Sequence, residues 1–250
     1  MLTEGDSKMT TNQQPSMYLK PRFKVLQYNF AVFPGPRAGE EAPDFTLTDQ
    51  HGQTVKLSDF RGQWVVLETA SATCSMYTKN IPGMKKLVEE FPDVEFLVVY
   101  VREAHPGERL SQHQSFQDKV KAASLLKPRY GEPRPVLIDT LEGDMHQNYG
   151  AMPNLVYVFT PEGKVHYRCN WATIDGVRKA LLERDHIHTE ENADLKKLWR
   201  QRKTWNSIRT MWTGGFLALW DFAVALPTLI MRHRQADRKF TAQDNVGKTG

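Results

Sequence analysis

Apolar positions within residues 41–188 fall into short continuous runs separated by helical repeats. The two clearest runs are WVVLET at 64–69 and VEFLVVYV at 94–101. Near-continuous apolar runs of this length are typical of parallel strands that are buried on both faces. Between the runs, apolar residues recur at helical spacing up to Phe91, and Pro92 ends the repeat. The pattern therefore predicts a strand–helix–strand unit.

Shorter elements precede and follow this unit. The turn residues DQHG separate two apolar segments, Phe45–Leu47 and Val55–Leu57, which predicts a β-hairpin. Beyond the second buried strand, the pattern predicts elements of both kinds. They are a helix over 110–126, a strand at Pro135–Asp139, a short helix at Leu141–Tyr149, a hairpin with strands Leu155–Phe159 and Lys164–Arg168, and a helix that Thr173 caps and that ends near Glu183.

The order of these elements, βαβα followed by ββα, is that of a thioredoxin fold. We therefore predict an α/β, thioredoxin-like domain over 41–188, with a mixed central sheet flanked by helices. Residues 1–16 are polar and lack an apolar signal segment, so they are predicted to be a disordered tail. Residues 17–40 mix apolar and basic side chains and are predicted to form an N-terminal extension.

The C-terminal part of the chain has a different pattern. Charged residues are dense over 184–210, with Leu195, Leu198 and Trp199 at helical spacing. Mostly apolar residues follow over 211–231. We predict a C-terminal helical and apolar extension over 189–234 and a polar tail over 235–250.

The apolar segment 211–231 is long enough to span a bilayer. However, Asp221 would be costly at the membrane centre, and Gly214-Gly215 and Pro227 weaken a regular helix. Three interpretations stay open: a helix that lies on the membrane with a basic flank, a transmembrane anchor, and a helix packed on the core or on a partner.

Composition adds limits on function. The chain has 250 residues, of which 40% are hydrophobic and 25% charged, as in an ordinary globular protein. The formal net charge is +4, but we find no basic stripe with interleaved aromatic residues, so nucleic acid is not a predicted partner. The two cysteines lack the spacing of metal ligands and are too few for a disulfide scaffold. This predicts a reducing, cytoplasmic location, with membrane association through the C-terminal segment as an addition, and no metal site.

Cys74 is the strongest candidate for chemistry. It lies in WVVLETASATCSMY at 64–77, which predicts a strand, a turn of small and hydroxyl residues, and a helix that begins near Ser75. The first amides of a helix and its dipole favour a thiolate over a thiol. We therefore predict that the pKa of Cys74 is below that of a free thiol and that its sulfur is a nucleophile. A buried, inert cysteine is the alternative.

Several polar residues are predicted to converge on this sulfur. Ser71 and Thr73 precede it and are expected to donate hydrogen bonds to the thiolate, although turn formation alone would also explain them. Glu103 and His105 follow the strand at 94–101, and the carboxyl ends of parallel strands share one edge of a sheet. His105 is predicted to donate a proton near neutral pH, and Glu103 to orient it or raise its pKa. A solvated charged loop is the alternative.

Three further positions are weaker candidates. His113 lies on the predicted helix over 110–126, and its pattern favours surface exposure. Met152-Pro153 precedes a strand where thioredoxin-like folds place a cis-proline near the reactive cysteine, and a cis Pro153 would leave its neighbouring backbone available to bind substrate. Cys169 ends a hairpin strand and is either a resolving thiol or, as the pattern favours, a buried apolar side chain.

Four segments carry a resemblance to a known family. They are SATC at 71–74, VVYVREAHPGE at 98–108, KVKAASLL at 119–126 with His113 before it, and VLIDTLEGDMHQNYGAMPNLVYVFTPEGKVHYR at 136–168. In these segments the chain resembles the iodothyronine deiodinases, a branch of the thioredoxin-like superfamily, over roughly residues 40–183.

The resemblance implies a site and a reaction. Cys74 stands where the family has its selenocysteine. By the same resemblance, Ser71 and Thr73 match hydroxyl residues of the family's motif. Glu103, His105 and His113 match positions implicated in protonation and active-site bonding. Family members remove iodine reductively from an aromatic ring: the chalcogen attacks iodine, a proton reaches the ring carbon, and a thiol regenerates the enzyme. The implied partners are an iodinated aromatic substrate and an external thiol reductant, with no bound cofactor.

Two other functions stay open. A peroxidase of the peroxiredoxin or glutathione peroxidase type, acting on a peroxide, would suit EAPDFTL and LSDFRGQWVVL. However, Leu67 and Ser71 occupy positions of the peroxiredoxin motif PxxxTxxC, and Ser75 stands where glutathione peroxidases place glycine. The third hypothesis is a membrane-associated interaction protein with a vestigial site, which the segment 211–231 motivates. A homodimer also stays open.

Overall fold

The computed structural model describes residues 18–30, 32–188 and 204–247. In these ranges, seven strands form one sheet: β1 (Thr46–Asp49), β2 (Thr54–Lys56), β3 (Trp64–Ala70), β4 (Val94–Tyr100), β5 (Val136–Ile138), β6 (Val156–Phe159) and β7 (Val165–Cys169). The helices are α1 (Ser75–Glu90), α2 (Phe116–Ala123), α3 (Leu126–Tyr130), α4 (Asp144–Asn148), α5 (Ile174–Leu182), α6 (Thr204–Met211) and α7 (Phe216–Gly247). Short 3-10 helices cover Val25–Gln27 and Leu57–Phe60.

The sheet order is β2-β1-β5-β4-β3-β6-β7. Strands β3, β4 and β5 are parallel, whereas β1, β6 and β7 each run antiparallel to the strand beside them. A parallel pair next to an antiparallel hairpin, in the order β4-β3-β6-β7, is the arrangement of a thioredoxin fold. The predicted α/β, thioredoxin-like architecture with a mixed central sheet is therefore confirmed.

Alternation along the central strands buries both faces of the sheet. Val65 and Leu67 of β3 join a core cluster with aromatic residues of the N-terminal extension. Val66, on the opposite face, packs in a cluster with Met84 of α1 and Val177 of α5. Because both faces are covered, the apolar runs are nearly continuous, as the sequence indicated.

The register of the parallel pair places the site. Ala70 at the end of β3 is opposite Tyr100 at the end of β4. The turn that carries Cys74 and the loop that carries His105 therefore leave the sheet at the same edge, as predicted.

The helix predicted over 110–126 is wrong in its first part. Helix α2 begins only at Phe116, where the Ser115 side chain accepts a hydrogen bond from the backbone N–H of Asp118. Before this cap, Gln112 makes two hydrogen bonds with the backbone of Glu103, at 3.0 and 2.7 Å. These bonds hold residues 110–115 as a loop against the site, so tertiary contacts override the helical pattern.

The C-terminal extension is helical, with one break. Gly214-Gly215 separates α6 from α7 as their sequence indicated, but Pro227 lies within α7 without ending it. Helix α7 also continues past the predicted boundary at residue 234. The predicted tail at 1–16 and the helical repeat of Leu195, Leu198 and Trp199 lie outside the described residues.

Candidate active site

Cys74 lies at the junction between β3 and α1. It is the N-cap residue of α1, its thiol is free, and only 3% of its surface is exposed. The backbone N–H groups of Met76 and Tyr77 favour its thiolate, although neither meets strict hydrogen-bond geometry with Sγ. The sequence thus correctly placed this sulfur at the start of a helix.

Burial nevertheless decides the charge of this thiol. Desolvation raises the pKa of Cys74 to about 12, because it outweighs the effect of the two amides. The nearby carboxyl groups of Glu68 and Glu103 raise it further. The predicted lowering of the pKa is therefore wrong for this closed conformation, in which the group is a neutral thiol.

Glu103 joins the two loops of the site. Its Oε2 accepts hydrogen bonds from the Thr73 backbone N–H at 3.0 Å and from Thr73 Oγ1 at 2.6 Å. Its Oε1 accepts a hydrogen bond from the Tyr100 hydroxyl. Burial raises the pKa of Glu103, although these hydrogen bonds counteract the shift. The carboxyl group thus fixes the turn before Cys74.

The hydroxyl groups of Ser71 and Thr73 serve the same purpose. Thr73 Oγ1 accepts a hydrogen bond from the His105 backbone N–H at 3.0 Å, and Ser71 Oγ accepts one from Ala104 N–H at 3.2 Å. In this structure these hydroxyls fasten the His105 loop to the turn, rather than donating to Sγ as predicted. The two loops are neighbours, but the hydroxyls of the turn are engaged with backbone N–H groups of the His105 loop.

The His105 ring lies among aromatic side chains. Its centroid is 4.4 Å from that of Phe23 and 5.5 Å from that of Phe222. Burial lowers the pKa of His105 to about 4, although the charge of Asp221 counteracts the shift. Its Nδ1 is buried and has no hydrogen-bond partner among the residues that the structure describes. The prediction that Glu103 orients this ring or raises its pKa is wrong, because Glu103 bonds Thr73 and Tyr100 instead.

His113 is buried, with 3% of its surface exposed, which contradicts the predicted surface position. It lies on the loop before α2, and its Nε2 is 3.8 Å from Glu103 Oε1. Desolvation lowers its pKa to about 4. His113 therefore lies behind Glu103 and does not line the cavity that contains Cys74.

A cavity of about 730 Å³, including its open mouth, contains Cys74 and His105. Its wall is mostly apolar and comes from four parts of the chain: the N-terminal extension, the loops of the sheet, the start of α1 and helix α7. The lining aromatic residues are Phe23, Tyr28, Phe30, Trp171 and Phe222. The apolar and aromatic lining of this cavity fits an apolar ring system better than a small polar molecule.

Met152 and Pro153 have different places. Pro153 lines the cavity, but no peptide bond in the described residues is cis, that before Pro153 included. The Met152 carbonyl is engaged inside the protein, 2.7 Å from His146 Nε2 and 3.3 Å from Thr69 Oγ1. The structure thus places Pro153 on the cavity wall and directs the Met152 carbonyl away from substrate.

Cys169 is remote from this arrangement. It is a buried cysteine in β7, in the apolar cluster of α1 and α5. Cys74 belongs to a different cluster, with Ala104 and Ile138. This placement matches the buried side chain that the pattern favoured.

The structure contains a buried ionic network near α1 that the sequence analysis did not predict. Arg134 lies 2.8 Å from Glu68 Oε2 and 2.7 Å from Glu132 Oε1, and Asn154 donates to Glu68 at 2.8 Å. Glu132 also accepts a hydrogen bond from the Tyr77 hydroxyl. The only sequence signal was Glu68 itself, a charge inside an apolar strand. Such a charge requires a buried partner.

Helix α7 covers the site, which sequence reasoning also missed. Phe222, Leu229 and His233 of α7 line the cavity. Arg22 of the N-terminal extension holds the helix through two bonds to Asp221, at 2.6 and 2.5 Å. The helical pattern predicted the element, but not the surface on which it packs.

Two glycines bring the start of α7 against the His105 loop. A Cβ on Gly107 would lie 2.3 Å from the Gly214 carbonyl oxygen, and a Cβ on Gly214 would lie 2.5 Å from the His105 carbonyl oxygen. Glu108 accepts hydrogen bonds from the first two N–H groups of α7, at 2.6 and 2.9 Å. We call this contact the glycine seam. It allows no side chain between the loop and the helix.

Within the described ranges, no group of three or more His, Cys, Asp or Glu side chains could hold a metal ion.

Comparisons with known proteins point in one direction. A family model described as iodothyronine deiodinase matches residues 3–185. The chain is 31% identical over 150 residues to a thyroxine 5-deiodinase of Gallus gallus, covering 54% of this chain and 57% of that protein. It is 33% identical over 182 residues to a type II iodothyronine deiodinase of Sus scrofa, covering 58% and 68%. The chain thus spans between about half and two thirds of these relatives, and α7 lies beyond the family match.

Two solved structures are also similar. A thiol-disulfide oxidoreductase from Bacteroides fragilis has a TM-score of 0.45 and 16% identity, covering 58% of this chain and 98% of its own. An uncharacterized conserved protein from Geobacillus kaustophilus has a TM-score of 0.49 and 21% identity, covering 64% and 88%. Because both scores are below 0.5, the fold assignment depends on the strand order described above.

Proposed function

Because the chain belongs to the iodothyronine deiodinase family, we propose that it is a thiol-dependent oxidoreductase that removes iodine from an iodinated aromatic ring. Cys74 is the nucleophile in this proposal. The observation that carries it is the position of this thiol at the start of α1, inside an aromatic-lined cavity that also contains the His105 imidazole.

The proposed reaction proceeds in three balanced steps. The Cys74 thiolate attacks the iodine of the substrate, the carbon–iodine bond breaks, and the ring carbon takes a proton. The sulfur–iodine bond is then cleaved by an external thiol, which releases iodide and a proton and leaves a mixed disulfide. A second thiol reduces this disulfide. The net reaction consumes one aryl iodide and two thiols, and yields the deiodinated ring, one disulfide, iodide and a proton.

The site requires opening before the first step. In the closed conformation Cys74 is neutral and His105 is an uncharged imidazole at pH 7, since burial moves the two pKa values to about 12 and about 4. Water that enters with the substrate would reverse both desolvation effects. Met76 and Tyr77 N–H groups would then favour the thiolate, and His105 would supply the proton near neutral pH. Ser71, Thr73 and Glu103 are positioning residues in this scheme, because they hold the two loops together.

An external thiol is the proposed reductant. The position of Cys169 in another buried cluster supports this, because it leaves the mixed disulfide to be resolved by a second molecule of thiol. The proposal requires no bound cofactor. The aromatic wall of the cavity supports an iodinated aromatic substrate over a peroxide, which is small and polar.

Turnover of the full chain with dithiothreitol tests the proposed function. Iodide release from 4-iodophenol is expected to exceed hydrogen peroxide consumption, and Cys74→Ala is expected to remove at least 99% of iodide release. Cys169→Ala is the matched control and should retain activity. Faster consumption of peroxide would favour the peroxidase, and full activity of Cys74→Ala would refute the proposed nucleophile.

We also propose that the protein associates with the cytoplasmic face of a membrane through α6 and α7. Residues Phe216–Ala236 are long and apolar enough to cross a bilayer, and 17% of that stretch is buried. Phe216, Trp220, Val224 and Met231 share one exposed face of α7. Its opposite face, with Phe222 and Leu229, covers the cavity. A helix engaged on one side by its own protein suits a position in the membrane interface better than a span.

Helix α6 extends this exposed surface. Trp205, Ile208 and Trp212 are exposed, and the Arg109 guanidinium lies 4.0 Å from the centroid of the Trp212 ring. Tryptophan and arginine are typical of interfacial contacts, because the ring sits at headgroup level and the cation pairs with lipid phosphate. We call Trp205, Ile208 and Trp212, together with the exposed face of α7, the apolar surface.

A further inference from the structure

The cavity has a second end, away from Cys74. On α7, Phe222 contacts the His105 ring, whereas His233 is eleven residues further along the helix. At a rise of 1.5 Å per residue, this separates the two side chains along the helix axis by about 16 Å. At the far end, the His233 ring centroid lies 4.5 Å from that of Phe30 and 6.0 Å from that of Trp171.

Trp171 is the informative residue at this end. Its side chain lines the cavity and only 8% of its surface is exposed. Its Nε1 is buried and has no hydrogen-bond partner in the described residues. A buried indole N–H normally finds an acceptor, because leaving the donor unpaired is destabilising. An unpaired donor in a cavity wall indicates that a ligand supplies the acceptor.

We infer that Trp171 and His233 form a polar subsite that binds an oxygen acceptor, such as a carboxylate, on an aromatic ligand whose other end reaches Cys74. Both side chains line the cavity with their ring centroids 6.0 Å apart, so one ligand oxygen near the Trp171 indole N–H also lies close to the His233 ring. The aromatic rings between the two ends accommodate the ligand's ring system. The inference deepens the proposed function, because it assigns part of substrate recognition to a helix beyond the residues of the family match.

The subsite makes a specificity prediction. A ligand with an oxygen at the end remote from the reacting ring satisfies the indole N–H, whereas an alkyl analogue leaves it unpaired. Sites built to hydrogen-bond a polar group discriminate strongly against analogues that lack it.

Binding to the full chain carrying Cys74→Ser tests this without any turnover. Titration calorimetry compares 3-(4-hydroxy-3,5-diiodophenyl)propanoate with 2,6-diiodo-4-propylphenol, and the same two compounds without iodine. We expect about tenfold tighter binding of the carboxylate in each pair. Adding Trp171→Phe or His233→Leu should reduce this preference to within about twofold, while affinity for the propyl compounds, which also reports folding, changes by less than about twofold. Val224→Ala on the exposed face of α7 is the matched control and should keep the preference.

The outcomes separate the subsite from the reaction. Equal affinities within each pair, binding of none of the four compounds, or an unchanged preference in both variants would overturn the subsite. An oxygen preference that disappears in the variants, combined with no preference for the iodinated compounds, would support the subsite and count against the proposed deiodination.

Discussion

Cys74 illustrates how two opposing effects decide the chemistry of one side chain. The sequence correctly predicted a thiol at a helix start, because the strand, turn and helix are encoded locally in residues 64–77. It could not predict the charge of that thiol, because burial comes from residues distant in the chain, Phe222 and Phe23 among those that line the same cavity. The sequence also led us to expect that His105 titrates near neutral pH. Burial by residues distant in the chain lowers its pKa to about 4 instead.

The pH dependence of Cys74 alkylation follows from this burial. Since the pKa of the closed state is about 12, the iodoacetamide rate should keep rising between pH 7 and 10 without a plateau. Mass spectrometry of the Cys74 peptide measures the rate. The chain unfolded in urea is the control and should level off above the ordinary thiol pKa of about 8.5. A plateau in the folded chain with a midpoint below that value would mean that the sulfur is already ionised.

Helix α7 shows how an element can be predicted without its role. Its apolar pattern left open a helix that lies on the membrane, a transmembrane anchor, and a helix packed on the core or on a partner, and all three share the same period. The structure separates two faces, one over the cavity and one exposed. Asp221, which argued against a span, pairs with Arg22 at the edge of the cavity cover. The pairing joins residues 199 positions apart, which no local pattern can reveal.

Release of this pair should expose the thiol. Asp221→Asn removes the charge that Arg22 contacts through two hydrogen bonds, so it weakens the attachment of α7 to the N-terminal extension. We therefore expect Cys74 to be alkylated about fivefold faster at pH 8.5, measured by the loss of free thiol. Arg178→Ala, which removes the exposed Arg178–Glu90 pair away from the cavity, is the matched control. Equal rates in the two variants would show that the Arg22–Asp221 pair does not hold the cover closed.

The complete molecule combines a predictable sheet with a cover that is not predictable. Strand order followed from alternating elements, since short connections and handedness allow few arrangements. The cover consists of the N-terminal extension and α7, which meet across the cavity through contacts such as Phe23 with Phe222. These contacts join side chains that are far apart in the sequence, such as Phe23 and Phe222. The candidate residues on the two loops were found, whereas Trp171 and His233 were not.

Vesicle binding tests the proposed location of the whole protein. The chain should sediment with vesicles of phosphatidylcholine and phosphatidylserine, and Trp220→Glu combined with Val224→Glu should reduce the bound fraction at least fivefold by charging the apolar surface. Leu182→Glu changes an exposed leucine of α5 and serves as the control. The wild-type chain could instead fail to bind vesicles but form dimers that the same two substitutions disrupt. That result would assign the apolar surface to contact with a second copy of the chain.

The glycine seam links the His105 loop to helix α7. Gly107 and Gly214 touch without an intervening side chain, and Arg109 N–H bonds the Gly214 carbonyl at 3.0 Å. Because these contacts are so close, a rotation of α7 about residues 213–215 would also displace the backbone of His105. The entry of solvent to the Cys74 sulfur and the position of the His105 imidazole would then depend on the same backbone contact. A larger residue at Gly107 or Gly214 would force the loop and the helix apart, so that one could move without the other.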